Sequence, residues 1–360
     1  MPFCSIAKFA QPRAKYLDYN ESGYSPAQIL RAYYFDRTYD GAGQTIALVD
    51  AYGYDNIQSD LRVFTQRFDL PEADLTIDAL GDDTTFQQDW AIETAMDVQW
   101  AHALAPGARL LLVLAASSSV EDLMTAVTYA LSRDPDILSL SWGLPETTEL
   151  TNYHPIFAQS RASCIAAVGD SADTPRFPSI SPDVLAVGGT SLRLDRAGNR
   201  VGPESLWVNS GGGISQVVDI PAYQRIFGDI NTLTGGYRGL GDVSFLADPL
   251  MGVAVYCTSN GAATGRWLSG GGTSLGAPAW AAITARINQA AGRPLGRLNP
   301  LLYDAAGRTE YQLPQLYFVD ITTGANSITE AREGWNFCTG LGSPVVSSLI
   351  ERFTAEQQAG

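Results

Sequence analysis

Residues 86–116 read FQQDWAIETAMDVQWAHALAPGARLLLVLAA, and their pattern decides the fold class. In residues 86–104, apolar and polar residues interleave at helical spacing, and Ala-Pro-Gly ends the run. The segment ARLLLVLAA (108–116) is continuously apolar, which is typical of a strand buried on both faces. A helix followed directly by such a strand predicts one unit of a parallel sheet covered by helices.

The same alternation recurs along the chain. Further apolar runs bounded by Gly, Asp or Pro predict strands at TIALVDA (45–51), DILSLSWG (136–143), SCIAAVGD (163–170), DVLAVGGTS (183–191) and GVAVYC (252–257). Further helical patterns cover 56–68, 119–133 and 274–290. The predicted class is α/β, with a central, mainly parallel sheet and helices on both faces. Sites in such sheets gather at the carboxyl ends of strands, where Asp50, Ser141, Asp170 and Gly188 fall.

Composition narrows the choice of partners. Acidic residues outnumber basic ones by 38 to 23, and the net charge is -15. Phosphate groups bind to positive surfaces, so we expect neither nucleic acid nor an anionic membrane as a partner. The sequence has 4 cysteines but no CxxC pair, which argues against a zinc site.

The segment GGGTSLGAPAW (270–280) presents a candidate nucleophile, Ser274, between glycines at the start of a predicted helix. It looks like the nucleophile segment of subtilisin-like peptidases. A serine hydroxyl needs a base, which is usually an imidazole. The chain has 2 histidines, His102 and His154, and neither has the His-Gly-Thr context that subtilisins use. Another group must take the proton, or the serine is not catalytic.

Glu93 and Asp97 are candidates for that role because residues four apart share one face of a helix. One interpretation is a solvent-facing acidic stripe that also includes Asp89. The other is a pair of carboxyls that share a proton, in which Glu93 is the base for Ser274 and Asp97 polarises it. Such a base is weak, so the enzyme would act at acidic pH.

Asp170, in AVGDSAD (167–173), follows a predicted strand. A protonated carboxyl could donate a hydrogen bond to the oxyanion of a tetrahedral intermediate. An aspartate after glycine also suits a simple turn. Local sequence does not separate these two interpretations.

Taken in order, these motifs resemble the sedolisin family of serine-carboxyl peptidases, which includes the kumamolisins and tripeptidyl peptidases. ETAMD (93–97), AVGDSAD and GGTSLGAPAWAAI (271–283) carry the resemblance, which runs from about residue 24 to about residue 350. It implies a subtilisin-like fold and peptide-bond hydrolysis at acidic pH. Ser274 would be the nucleophile, Glu93 the base and Asp97 its partner. Asp170 would donate to the oxyanion beside the Ser274 amide.

The resemblance also implies two backbone edges that hold an extended peptide substrate as an added strand. They comprise Ser141, Trp142, Gly143, Gly211, Gly212 and Gly213. Glycine there would allow close backbone approach, although a flexible loop would have the same sequence. Asp50 is interpreted as structural, because this family does not rely on it. An inactive peptide-binding relative and a peptide ligase or cyclase are the alternative functions.

One calcium ion is implied as a cofactor. Asp320 would supply a carboxylate and Ile321 a carbonyl, and the family's Gly-x-Gly-x-Asp loop reads REGWN (332–336) here. Its ligands would be the carbonyls of Arg332 and Gly334 and the side-chain oxygen of Asn336. Loss of a carboxylate weakens the expected affinity, since calcium binding depends on ligand charge.

We predict a single peptidase domain over 24–353, with an N-terminal extension (1–23) and a C-terminal tail (354–360). A monomer acting on peptides or proteins is expected. The resemblance implies secretion and a removed prosegment. If Met1 is the natural start, a cytoplasmic location is expected instead.

Overall fold

The computed structural model describes residues 23–81, 86–227, 229–308 and 316–358. Most of the predicted extension 1–23, including Cys4, lies outside these residues. The helices are α1 (Pro26–Ala32), α2 (Ile57–Phe68), α3 (Gln88–Leu104), α4 (Val120–Ser132), α5 (His154–Ala158), α6 (Ala222–Arg225), α7 (Ile230–Thr234), α8 (Thr273–Ala291), α9 (Leu298–Arg308) and α10 (Val346–Gln358). The strands are β1 (Thr45–Ala51), β2 (Asp74–Ala79), β3 (Arg109–Ala115), β4 (Ile137–Leu140), β5 (Leu144–Pro145), β6 (Ser163–Ala167), β7 (Arg176–Phe177), β8 (Val184–Ser191), β9 (Ser205–Leu206), β10 (Gly213–Asp219), β11 (Tyr237–Leu240), β12 (Val243–Leu246), β13 (Val253–Cys257), β14 (Arg266–Gly270), β15 (Phe318–Val319) and β16 (Ser343–Pro344).

A parallel sheet with the strand order β12-β8-β6-β4-β1-β3-β2 forms the centre, and β9 joins β8 antiparallel. This confirms the predicted fold class. GVAVYC was wrongly assigned to this sheet, because β13 pairs antiparallel with β14 in a separate hairpin. The edge strand β2 escaped prediction because its residues are exposed or half-buried, so it has no continuous apolar run.

Alternating side chains of β1 enter two different cores. Ile46 and Leu48 pack in one with residues of α2, α3 and α8, whereas Ala47 and Val49 pack in the other with residues of α4. Successive strand residues point to opposite faces, so each face of the sheet needs its own helical cover. The unbroken apolar runs in the sequence follow from this arrangement.

Helices α3 and α8 are buried to an unusual degree. Every residue of α3 from Trp90 to Leu104 is buried, and Gln289 is the one residue of α8 that is not. Side chains on these helices therefore face protein on all sides. No helix in the described part of the chain is long and apolar enough to cross a membrane.

The carboxyl-terminal helix α10 crosses the predicted boundary at 353/354 and continues to Gln358. Cys164, Cys257 and Cys338 are free, buried thiols.

Candidate active site

Ser274 lies in the first turn of α8, beside the end of β4. Its Oγ donates to the Ser141 carbonyl at 3.1 Å, and the Ser141 Oγ donates back to the Ser274 carbonyl at 3.1 Å. Gly272 enters the helix at a φ of 97°, and a Cβ there would lie 2.4 Å from Asp170 Oδ2. Only glycine fits this backbone and this contact. The glycine-rich sequence thus brings the serine close to the Asp170 carboxyl.

Asp170 follows β6 and is bound to the residue before Ser274. Its Oδ1 accepts from the Thr273 backbone N–H at 2.7 Å and from the Thr273 hydroxyl at 2.8 Å. The Gly169 N–H in turn donates to Thr273 Oγ1 at 3.0 Å. These bonds cross the fold, so Asp170 does more than form a local turn. Its carboxyl is therefore held at the first turn of α8, against the residue before Ser274.

Glu93 and Asp97 are both fully buried on α3, with 0% exposure, whereas Asp89 is exposed. The solvent-facing interpretation is therefore wrong for the pair, since α3 packs between the sheet and neighbouring helices. Burial raises the pKa of Glu93 well above its usual value, and the charge of Asp97 raises it further. The nearby Ser274 hydroxyl acts in the opposite direction and lowers this pKa.

Asp97 has a similar environment. Burial raises its pKa first, the charge of Asp50 raises it further, and the Ser141 hydroxyl lowers it. Among the described residues, no hydrogen bond of ordinary geometry reaches the carboxylate oxygens of Glu93 or Asp97. Two buried carboxyls without such bonds favour their neutral forms.

Asp50, which the sequence left as a structural residue, lies close to Glu93 and Asp97 in the folded chain. It is the next-to-last residue of β1, is 0% exposed, and its charge raises the pKa of both Glu93 and Asp97. Burial raises its own pKa to about 7, against a smaller lowering by the Thr94 hydroxyl. We call Asp50, Glu93 and Asp97 the carboxyl cluster. In the sequence, the signal that placed Asp50 near a site was its position at the carboxyl end of a central strand.

Replacing Asp50 with asparagine is expected to stabilise the protein near neutral pH. Because the folded-state pKa is about 7 against an ordinary 3.8, the folded state holds the proton more tightly. This difference in pKa contributes free energy of unfolding that is fully present below about pH 4 and is lost as pH rises through about 7. The loss amounts to roughly 4 kcal/mol. Urea unfolding at both pH values measures it.

Asp55→Asn is the matched control, because Asp55 is exposed in the loop that follows the same strand. We expect Asp50→Asn to exceed wild type in unfolding free energy at pH 7 and to approach it at pH 4. An equal difference at both pH values would contradict a neutral, buried Asp50 carboxyl.

The predicted substrate segments lie on two sides of Ser274. Ser141 to Gly143 follow β4, and Ser141 is bonded to Ser274 as described. The Trp142 indole donates to the Val49 carbonyl at 3.0 Å and is a buried core side chain. Any contact of Trp142 with a peptide would therefore involve its backbone.

The second segment precedes β10. The Gly211 N–H donates to the Gly169 carbonyl at 2.7 Å, next to Asp170. A Cβ on Gly211 would lie 2.4 Å from the Val168 carbonyl oxygen, and one on Gly212 would lie 2.7 Å from the Cys338 nitrogen. Gly213 begins β10 at a φ of 102°. Close backbone packing explains Gly211 and Gly212, and the positive φ explains Gly213.

Both histidines are engaged elsewhere. His102 Nε2 lies 2.9 Å from the Pro71 carbonyl, and burial lowers the pKa of its ring. It follows Glu93 by roughly 13 Å along α3 at 1.5 Å per residue. The His154 ring stacks on Phe177 with centroids 6.0 Å apart.

The residues predicted to bind calcium also come together, but their donors do not fit a cation. The Asn336 side-chain NH₂ points at the carbonyls of Ile321, Arg332 and Gly334, at 3.0, 2.6 and 3.0 Å. Asp320 Oδ2 accepts the Gly334 N–H at 2.8 Å. In the described part of the chain, no group of three or more acidic, histidine or cysteine side chains could hold a metal ion.

Comparison with known proteins agrees with this geometry. Residues 90–300 match the model of the subtilase family. Kumamolisin from Bacillus sp. (strain MN-32) is 33% identical over 367 residues, which is 92% of this chain and 63% of kumamolisin. The solved structure of Pseudomonas sedolisin, titled a serine-carboxyl proteinase complexed with two molecules of pseudo-iodotyrostatin, superposes with a TM-score of 0.83 at 25% identity. The superposition covers 93% of this chain and 99% of the Pseudomonas sedolisin chain.

The chain belongs to the sedolisin family. Sedolisin from Pseudomonas sp. (strain 101) is 31% identical over 187 residues, which is 48% of this chain and 29% of that sequence. The chain thus spans less than two thirds of the length of these sedolisin-family relatives. The superposition on Pseudomonas sedolisin confirms the subtilisin-like fold that the sequence implied for this chain.

Proposed function

We propose that this protein is a serine-carboxyl peptidase that hydrolyses peptide bonds at acidic pH. The observation that carries the proposal is the burial of Glu93 beside the Ser274 hydroxyl, with Asp97 on the same helix face. Family membership supports the same chemistry. Pseudomonas sedolisin, on which this chain superposes, is described as a serine-carboxyl proteinase.

In the proposed acylation step, Ser274 Oγ attacks the carbonyl carbon of the scissile peptide bond. The hydroxyl proton passes to the Glu93 carboxylate. Glu93 then gives this proton to the departing amine as the C–N bond breaks, which leaves an acyl-enzyme. In the second half of the reaction, a water molecule attacks the acyl-enzyme and gives a proton to Glu93. The bond to Ser274 Oγ then breaks, the proton returns to Oγ, and the acid product leaves.

Asp97 would hold the shared proton of the pair, so that Glu93 can be ionised without two buried charges side by side. Because burial raises both pKa values, loss of a second proton is strongly disfavoured, and the form of the pair that acts as base carries one proton.

Asp170 would stabilise the tetrahedral intermediate as a protonated carboxyl. A proton on Oδ2 leaves both bonds from Thr273 to Oδ1 intact. The Ser274 N–H is the second donor, and the N-terminus of the 19-residue helix α8 adds a favourable dipole. Ionisation of Asp170 would place a negative charge beside the oxyanion, so activity should fall as pH rises.

The substrate would lie as an extended strand between residues 141–143 and 211–213. Backbone pairing of this kind binds many side-chain sequences. The residues predicted to bind calcium take no part in these steps.

Mass spectrometry of oligopeptides incubated with the protein tests the function. We expect shorter peptides, formed fastest below about pH 5 because the reaction needs protonated carboxyls. Unchanged masses would indicate a peptide-binding relative, and joined peptides would indicate a ligase. Either of these outcomes would overturn the proposal.

A further inference from the structure

The loop that ends in Asn336 is held closed by that residue. Asn336 is 2% exposed, its N–H donates to the Gly340 carbonyl at 3.3 Å, and the Gly340 N–H donates back to the Asn336 carbonyl at 2.8 Å. Its backbone is thereby fixed. The side chain can only project into the loop.

The hydrogen-bond partners set the orientation of the Asn336 amide. Oδ1 accepts the Arg332 backbone N–H at 2.8 Å. If the amide were rotated by half a turn, its NH₂ group would face this N–H, donor against donor. Its oxygen would then face the carbonyl oxygens, acceptor against acceptor. The NH₂ group must therefore face the carbonyls of Ile321, Arg332 and Gly334.

Those carbonyls are the ones that the sedolisin resemblance assigns to calcium. Calcium–oxygen distances are about 2.3–2.6 Å. Here the oxygens surround a nitrogen, and two of the three distances, both 3.0 Å, lie in the range of N–H···O bonds and beyond that of calcium–oxygen bonds. The third, to the Arg332 carbonyl, is 2.6 Å. The partial positive charge of the NH₂ hydrogens compensates the converging carbonyl dipoles. An ion would have to displace this group and leave the loop without its bonds.

Charge at the loop argues the same way. Asp320 is the single carboxylate of the predicted ligand set, and its Oδ2 is already bonded to the Gly334 N–H. The Arg332 guanidinium lies 3.6 Å from Asp229. One engaged carboxylate provides little charge to attract a divalent cation.

We propose that Asn336 replaces the calcium ion of this loop, so that the folded protein is stable without calcium. The replacement is covalently part of the chain, and its concentration is fixed. Chelators therefore have nothing to remove. The carbonyls that the resemblance assigns to calcium still converge, while the metal dependence that it implies is lost.

Thermal unfolding in EGTA and in CaCl₂ tests this proposal. The calcium concentration is about 10 mM, which is above the Kd of weak protein calcium sites. We expect the wild-type melting temperature to be unchanged between the two conditions, and calorimetric titration to detect no calcium binding. Asn336→Asp removes the NH₂ donor and adds a carboxylate oxygen toward the same carbonyls. It should lose melting temperature in EGTA and regain several degrees in calcium, because only the folded state binds the ion.

Asn326→Asp is the matched control. Asn326 is half-buried nearby, its Oδ1 accepts backbone N–H groups, and its Nδ2 donates to the Ser210 carbonyl at 3.0 Å. Its replacement should cost stability equally with and without calcium. If wild type melts lower in EGTA and recovers with calcium, the proposal is overturned. A calcium response no larger in Asn336→Asp than in Asn326→Asp would also overturn it, and so would binding of calcium by wild type in the titration.

Discussion

Replacing Ser274 with alanine is expected to lower kcat for peptide cleavage by about 10⁴- to 10⁶-fold. The change removes only the oxygen that would form the acyl-enzyme bond. One hydrogen bond of 3.1 Å to the Ser141 carbonyl is lost with it. Such a bond contributes about 1 kcal/mol, so the melting temperature should stay near that of wild type. Cleavage of an oligopeptide at acidic pH and thermal unfolding measure the two effects.

Ser244→Ala is the matched control, because it removes another fully buried serine hydroxyl, on β12. Within the described residues the Ser244 Oγ has no hydrogen-bond partner, and its backbone carbonyl still accepts from the Trp280 indole. This variant should cleave at the wild-type rate. Retained turnover in folded Ser274→Ala would remove Ser274 from the mechanism.

Replacing Glu93 with glutamine is expected to lower kcat by about 10²- to 10⁴-fold at the optimal pH. Glutamine has nearly the same size, but its amide accepts no proton from the Ser274 hydroxyl. Because Glu93 is buried and its pKa is raised, loss of its charge should not reduce stability near neutral pH. A pH–rate profile with parallel urea unfolding separates catalytic loss from unfolding.

Asp89→Asn serves as the control for Glu93→Gln. Asp89 lies one turn earlier on α3 and is exposed. It should leave the profile unchanged. A Glu93→Gln enzyme with the wild-type rate and optimum would refute the assignment of the base.

Local sequence pattern was sufficient to predict the elements that have an unbroken apolar run or a clear helical spacing. Strand β1 was predicted with the bounds that it has, 45–51, and α3 differs by two residues at its start. Strand β2 and the β13–β14 hairpin required knowledge of pairing between distant segments, which local pattern lacks. Tertiary contacts decided both.

Candidate catalytic residues could be named from spacing and family motif, but their environment could not. Whether Glu93 and Asp97 face solvent depends on α8, which follows α3 by more than a hundred residues. Asp50 enters the carboxyl cluster for the same reason, because β1 lies next to β4 in the sheet. The orientation of the Asn336 amide depends on the positions of four backbone groups in a folded loop.

The central claim is that a buried carboxyl, not an imidazole, takes the proton of Ser274. A variant without histidine tests it most directly. His102→Gln retains a donor for the Pro71 carbonyl, and His154→Phe retains the stacking on Phe177. We predict that the double variant cleaves an oligopeptide at acidic pH with a rate and pH profile close to wild type. Loss of cleavage in a double variant that unfolds like wild type would contradict the claim.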